Sequence, residues 1–344
     1  MSGPVSGAGE EATGRGRRRP VRDLVVRTVF LGVVLGCAVW SLDGRWDEVG
    51  DALRGVAPLS LAAAVLLTCA GLAVTAVVWR RLLVSFGHDV PGRPARSVFF
   101  VSQLGKYVPG AVWAIGVQAR LAMRYAVPVR VSVTVALLFT GVHLLTAGLF
   151  AGVVVLVAGV EVPGPRWGWA LGTLGCAVGL VPAVLSRLVA RAAGTPWSAR
   201  ARDALGVVAL MALVWVLYAG AVLLLVPDPS PTLWAAVAVA FAAGYVAGVL
   251  VVVAPAGLGA RETVFVLVLS PVTGLPVATA VALLARLVHG AADLAMAALA
   301  WTDARRVGAG AEAGGASGTG AGATRGSELS VAGGTVRGHD DDRL

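Results

Sequence analysis

Lysine is almost absent from this chain. Of its 28 basic residues 27 are arginine, and Lys106 is the one exception. A GC-rich genome would give that bias by codon usage, so a lysine that survives it in an apolar segment is hard to read as a stray surface charge. Charge as a whole is scarce: 14% of the 344 residues are Asp, Glu, Lys or Arg, against roughly a quarter in a soluble domain. That deficit, with 57% hydrophobic residues and mean hydropathy +0.82, excludes an ordinary soluble protein and indicates a polytopic membrane protein. Cysteine is scarce too. Cys37, Cys69 and Cys176 each lie alone in an apolar run, which excludes a disulfide framework and metal-ligand spacing.

Catalytic signatures are also missing. There is no His-Glu-x-x-His, and no Ser/His/Asp set is apparent. Gly105-Lys106 lacks the spacing and the following Ser/Thr of a phosphate-binding loop. The expectation is a protein without a cofactor or resident metal, and neither a lipid-modifying enzyme nor an ATP-driven pump. The net charge of +9 does not imply nucleic acid, because the arginines fall in short clusters between apolar runs.

What is present is a series of apolar runs near the length of about 20 residues that a spanning helix needs. Clear spans are 24–42, 58–79, 131–159, 167–185, 205–226, 233–253 and 277–301; two more segments, 97–119 and 254–275, are interrupted by Gly and Pro. Residues 1–22 and 303–344 are Gly/Ala/Ser-rich and read as disordered tails around a membrane domain at 23–302. The run 24–42 is long for a signal peptide, and no small-residue cleavage site follows it, so it reads as a retained first helix. The fold expected is therefore all-α, a membrane helical bundle of about 7–8 spans plus a broken-helix hairpin.

The loops assign sides. Eighteen arginines fall before 24, in 80–96, in 120–130, in 187–202 and at 305–306, whereas the alternate loops carry only Arg45, Arg54 and Arg166. The positive-inside rule puts the first set, and with it both termini, in the cytoplasm of a cell-membrane protein. Both flanks of 97–119 then lie on one side. This segment is expected to enter the bilayer and return, hinged at Gly105, Pro109 and Gly110; a single proline-kinked helix is the alternative.

Ionisable groups at membrane depth are costly and mark functional sites by default. Lys106, His143, Arg261, Glu262, Arg286, His289 and Asp293 lie in or beside apolar runs. Pro255, Gly257 and Gly259 permit a tight turn before a helix starting near Ala260, whose N-terminus would favour an anion; the alternative is a plain loop with an interfacial Arg–Glu pair. Arg286, His289 and Asp293, spaced by three and four, share one helix face and suit partners on other helices, for packing or for substrate. His143 reads as a packing histidine with its hydrogen bonds satisfied. Gly148/Gly152, Gly175/Gly179 and Gly244/Gly248 have the spacing of close helix contacts. Two broken segments, one in each half, point to a transporter-type site near the midplane.

Gln103-Leu104-Gly105-Lys106-Tyr107-Val108-Pro109-Gly110 with Trp113, and Pro255-Ala256-Gly257-Leu258-Gly259-Ala260-Arg261-Glu262 before an apolar helix, resemble motifs of the lysylphosphatidylglycerol synthase transmembrane family, the flippase-like integral membrane proteins. The resemblance covers about residues 20–305, and the first motif is characteristic of a bacterial subset. Ala256 departs from it, standing where the family often has glycine. The resemblance implies handling of a lipid with an anionic phosphate head group. Lys106, Tyr107, Arg261, Glu262, Arg286 and Asp293 are then the expected substrate-binding residues, and Lys106 with Arg261 and Glu262 the motif charges near the lipid path. The 42-residue tail is too short to be the aminoacyltransferase domain of the synthases, so their activity is not implied. The readings that remain are a translocase or binder of a phospholipid or polyprenyl-phosphate-type intermediate, and an accessory subunit for a separate lipid-modifying enzyme or glycosyltransferase.

Overall fold

The computed structural model describes residues 46–107, 112–193, 197, 201–227, 230–251, 257 and 259–318. The expected N-terminal tail and first span, 1–42, lie outside these residues, as do Pro109, Gly110, Pro255 and the chain after 318.

The described chain is a bundle of helices. Helix α1 (Trp46–Arg54) packs on the last helix through Val49 and Ala280. Helix α2 (Pro58–Ser85) begins with proline at its first turn, where a missing N–H costs nothing. Its 28 residues reach about 42 Å, more than the hydrocarbon core needs. Comparable spans are α5 (Val129–Ala158), α8 (Ala201–Leu223), α9 (Pro231–Leu250) and the first part of α11 (Leu275–Gly318). Beyond Thr302, α11 continues into the stretch that composition assigns to the C-terminal tail.

The span expected at 167–185 is bent in the structure. It is two helices, α6 (Arg166–Gly179) and α7 (Pro182–Ala193), bent by 73°. The cause is Pro182, whose ring blocks helical continuation and pushes the preceding residue away from αR. Hydropathy runs through the break without a sign of it. Five described helices are long and apolar enough to cross a membrane, or six with this bent pair, against the 7–8 spans expected for the whole chain.

The 97–119 segment is a hairpin: α3 (Gly92–Gln103), a 3-10 turn at Leu104–Tyr107, and α4 (Val112–Ala122). At about 18 Å each, neither arm crosses the core. The chain doubles back so tightly that a Cβ on Gly105 would come within 2.7 Å of the Ala114 backbone. A single kinked helix could not make that contact.

In lipid without water, helix packing relies on close approach and internal hydrogen bonds. Gly148 and Gly152 of α5 face Cys176 and Thr173 of α6, and Gly244 and Gly248 of α9 lie against Arg261 and Gly257. Gly175, of the third spaced pair, has open space beside it. Two buried hydroxyls bond within their own helices: Thr68 donates to the Ala64 carbonyl at 2.8 Å and Thr146 to that of Val142 at 2.8 Å. Thr146 also accepts from Trp215 Nε1 at 3.2 Å, tying α8 to α5. The C-terminal end of α2 meets the segments at Val90 and Trp197. Trp197 donates to Ser85 Oγ at 2.8 Å and stacks on Phe86, and Arg80 donates to the Val90 carbonyl at 2.9 Å.

Candidate functional site

Two glycines build one side of the site. Gly257 (φ +70°) and Gly259 (φ +88°) hold backbone angles that L residues rarely adopt, and a Cβ on Gly257 would lie 2.6 Å from Gly248 Cα. This turn lays the broken segment on α9 and starts α10 (Ala260–Thr273), with Arg261 and Glu262 in its first turn. At 14 residues, about 21 Å, α10 does not cross the core alone.

Glu262 has two partners. Its Oε2 accepts from the Gly259 backbone N–H at 2.7 Å, closing the helix end, and its Oε1 accepts from Arg286 Nη1 at 2.5 Å. The anion expected at this N-terminus is therefore supplied by the chain itself. Asp293, its side chain 4% exposed, likewise takes two partners on Oδ2: Lys106 Nζ at 2.6 Å and Tyr107 Oη at 2.6 Å. Lys106 thus meets its counter-charge on the last helix. Arg261 differs. Its guanidinium lies over the Phe241 ring, 4.6 Å from the centroid, with no ion-pair partner among the described residues.

These groups converge. Lys106, Tyr107, Arg261, Arg286, His289 and Asp293 all line one cavity of about 460 Å³, with Gly257 on its wall. Glu262 borders a small adjoining cleft beneath Arg261 and Arg286. Three cations face two carboxylates, and one cation has no acid partner. The depth is intermediate. Measured from the arginine-rich end of each helix, Asp293 lies about 14 Å in, His143 about 21 Å and Arg286 about 24 Å. Leu137 and Thr140, one turn apart on α5, line the cavity and are exposed.

All six expected substrate-binding residues are brought together, the hinge Gly105 packs against Ala114, and Gly257 and Gly259 form the turn. His143 is not the satisfied packing residue expected from the sequence. Its ring packs with Tyr245 at 4.6 Å and Trp215 at 4.9 Å, but it borders the cavity and its Nε2 has no hydrogen-bond partner among the described residues. Gln103, Gln118, Tyr218 and Tyr245 also line the cavity, and Gln118 is only 3% exposed. A search for ionisable groups alone passes over them; a glutamine inside the apolar run of α4 was the available signal. Among the described residues no group of three or more His, Cys, Asp or Glu is placed to hold a metal ion.

The sequence model of the lysylphosphatidylglycerol synthase TM region family matches residues 25–297, a stretch that contains both broken segments and every cavity residue named above. The chain belongs to this family. No curated protein matches it. Membership in the lysylphosphatidylglycerol synthase TM family agrees with a multi-pass membrane protein tied to lipid handling, and the cavity lies inside the matched region.

Proposed function

We propose that this protein binds and translocates a lipid with an anionic phosphate head group, a phospholipid or a polyprenyl-phosphate-type intermediate, across the cell membrane. The head group enters the cavity while the tails stay in lipid. Arg261 carries this reading: a cation on the cavity wall without an acid partner, beside two cations that have one. Charge-assisted bonds to phosphate strengthen away from water. Lys106 and Arg286 join the contact by sharing their carboxylates. On this reading both termini are cytoplasmic and the chain catalyses no covalent step.

The test is head-group translocation in reconstituted vesicles with tail-labelled phosphatidylglycerol. Losing one charge-assisted contact, about 1.5–3 kcal/mol, lowers the rate about 10- to 100-fold in Arg261→Ala. An unchanged rate in that variant refutes the assignment of Arg261. No translocation by the native chain, with co-purification of a lipid-modifying enzyme, supports the accessory-subunit reading instead.

A further inference from the structure

The return arm of the hairpin carries a group that packing does not explain. Helix α4 gives the cavity Ala114, Ile115 and Gln118, so Gln118 is the polar member of that face. Its residue is 3% exposed, yet its amide has no hydrogen-bond partner among the described residues. Two hydroxyls that also line the cavity are committed to their own helices. Ser102 donates to the Phe99 carbonyl at 2.7 Å and Thr140 to that of Ala136 at 2.9 Å. An amide buried in this way gives up water and gains nothing from the fold. An apolar side chain of the same size would fill the space without that loss.

The amide is not sealed in. Among the described residues, the side-chain atoms both unpartnered and closed off from water are on Trp79, Ser132, His143 and His289, and the Gln118 amide is not one of them. Its open side is the cavity that it lines. The charge count says why a neutral group is useful there. Lys106, Arg261 and Arg286 against Asp293 and Glu262 leave one net positive charge, which one phosphate monoanion balances. A neutral donor adds grip without adding charge, and a glutamine amide has two N–H groups to give.

We infer that Gln118 is a head-group ligand. Resting on the lipid reading above, its amide donates to phosphate oxygens that Arg261 leaves free. Gln118 belongs to the first broken segment and Arg261 to the second, so the bound head group joins the two.

The experiment compares the full native chain with Gln118→Met and Gln118→Glu in phosphatidylcholine nanodiscs that hold a minor share of phosphatidylglycerol. Native mass spectrometry reads phosphatidylglycerol retention, and Tm is read in phosphatidylcholine alone. Gln118→Met keeps the length of the side chain and removes its hydrogen bonds. It is expected to retain phosphatidylglycerol about tenfold less, the worth of one bond to a charged group, with a Tm equal to the native value or higher. Unchanged retention overturns the inference. So does a lowered Tm, because the amide would then serve the fold. Gln118→Glu loses the N–H donors and adds a negative charge, so its retention should fall further than that of Gln118→Met; a smaller fall overturns the donor role. No preference of the native chain for phosphatidylglycerol over phosphatidylcholine refutes the lipid reading, and the Gln118 contact with it. Soluble glycerol 3-phosphate bound by the native chain as tightly as the lipid also refutes the lipid reading.

Discussion

Replacing Lys106 and replacing Asp293 should have unequal effects, although the two form one ion pair. In Lys106→Met the apolar stem is kept and the charge removed, which leaves the Asp293 carboxylate buried, 4% exposed, with only the Tyr107 hydroxyl as partner. Stranding a buried charge costs about 3 kcal/mol, at the low end of the usual range because one hydrogen bond remains. In Asp293→Asn the amide oxygen still accepts from Tyr107, and the ammonium left behind belongs to a side chain 35% exposed that can turn outward. That loss is about 1 kcal/mol. The double variant strands no charge and should also lose only about 1 kcal/mol, giving a coupling energy of about 3 kcal/mol. Denaturant unfolding of the four proteins in detergent measures the cycle. Equal single losses, or a double variant equal to their sum, would refute the view that Lys106 is the counter-charge that keeps Asp293 tolerable in the bundle.

The hairpin predicts that cysteines replacing Arg96 and Arg124 are labelled by an impermeant thiol reagent from the same side of sealed vesicles; labelling from opposite sides would sink it. Glycines on the two broken segments should respond in opposite directions. Gly257→Ala forces a Cβ to 2.6 Å from Gly248 Cα at positive φ and should cost about 3 kcal/mol or more, read as a lowered Tm. Gly116→Ala, in the interior of α4 with open space around it, should instead stabilise by about 0.5–1 kcal/mol.

The architecture was legible where a local rule governs it. Arginine on both flanks of 97–119 implied a return to the same side, and Gly257 and Gly259 before Arg261 implied the turn that starts α10. The three- and four-residue spacings put Arg286, His289 and Asp293 on one face, and all three line the cavity. The pairing was not legible. With Lys106, Arg261 and Arg286 facing Glu262 and Asp293, several matchings satisfy the charges equally well, and only the three-dimensional packing selects Lys106–Asp293 and Arg286–Glu262. The bend at Pro182 escaped notice because apolar composition measures affinity for lipid, not continuity of the helix. Gln118 and the tyrosines escaped because an uncharged polar residue in an apolar run costs too little to stand out.

Tyr107 and Asp293 are 186 positions apart and share one carboxylate oxygen with Lys106. During biosynthesis the hairpin emerges early and the last helix late. Until α11 is inserted, the charge at the hairpin turn has no counter-ion from Asp293, and the cavity lacks the wall that Arg286 and His289 supply. Completion of the site thereby waits for α11: a product stopped before it keeps the hairpin packed on α2 and α5 but holds Lys106 without the carboxylate that matches it.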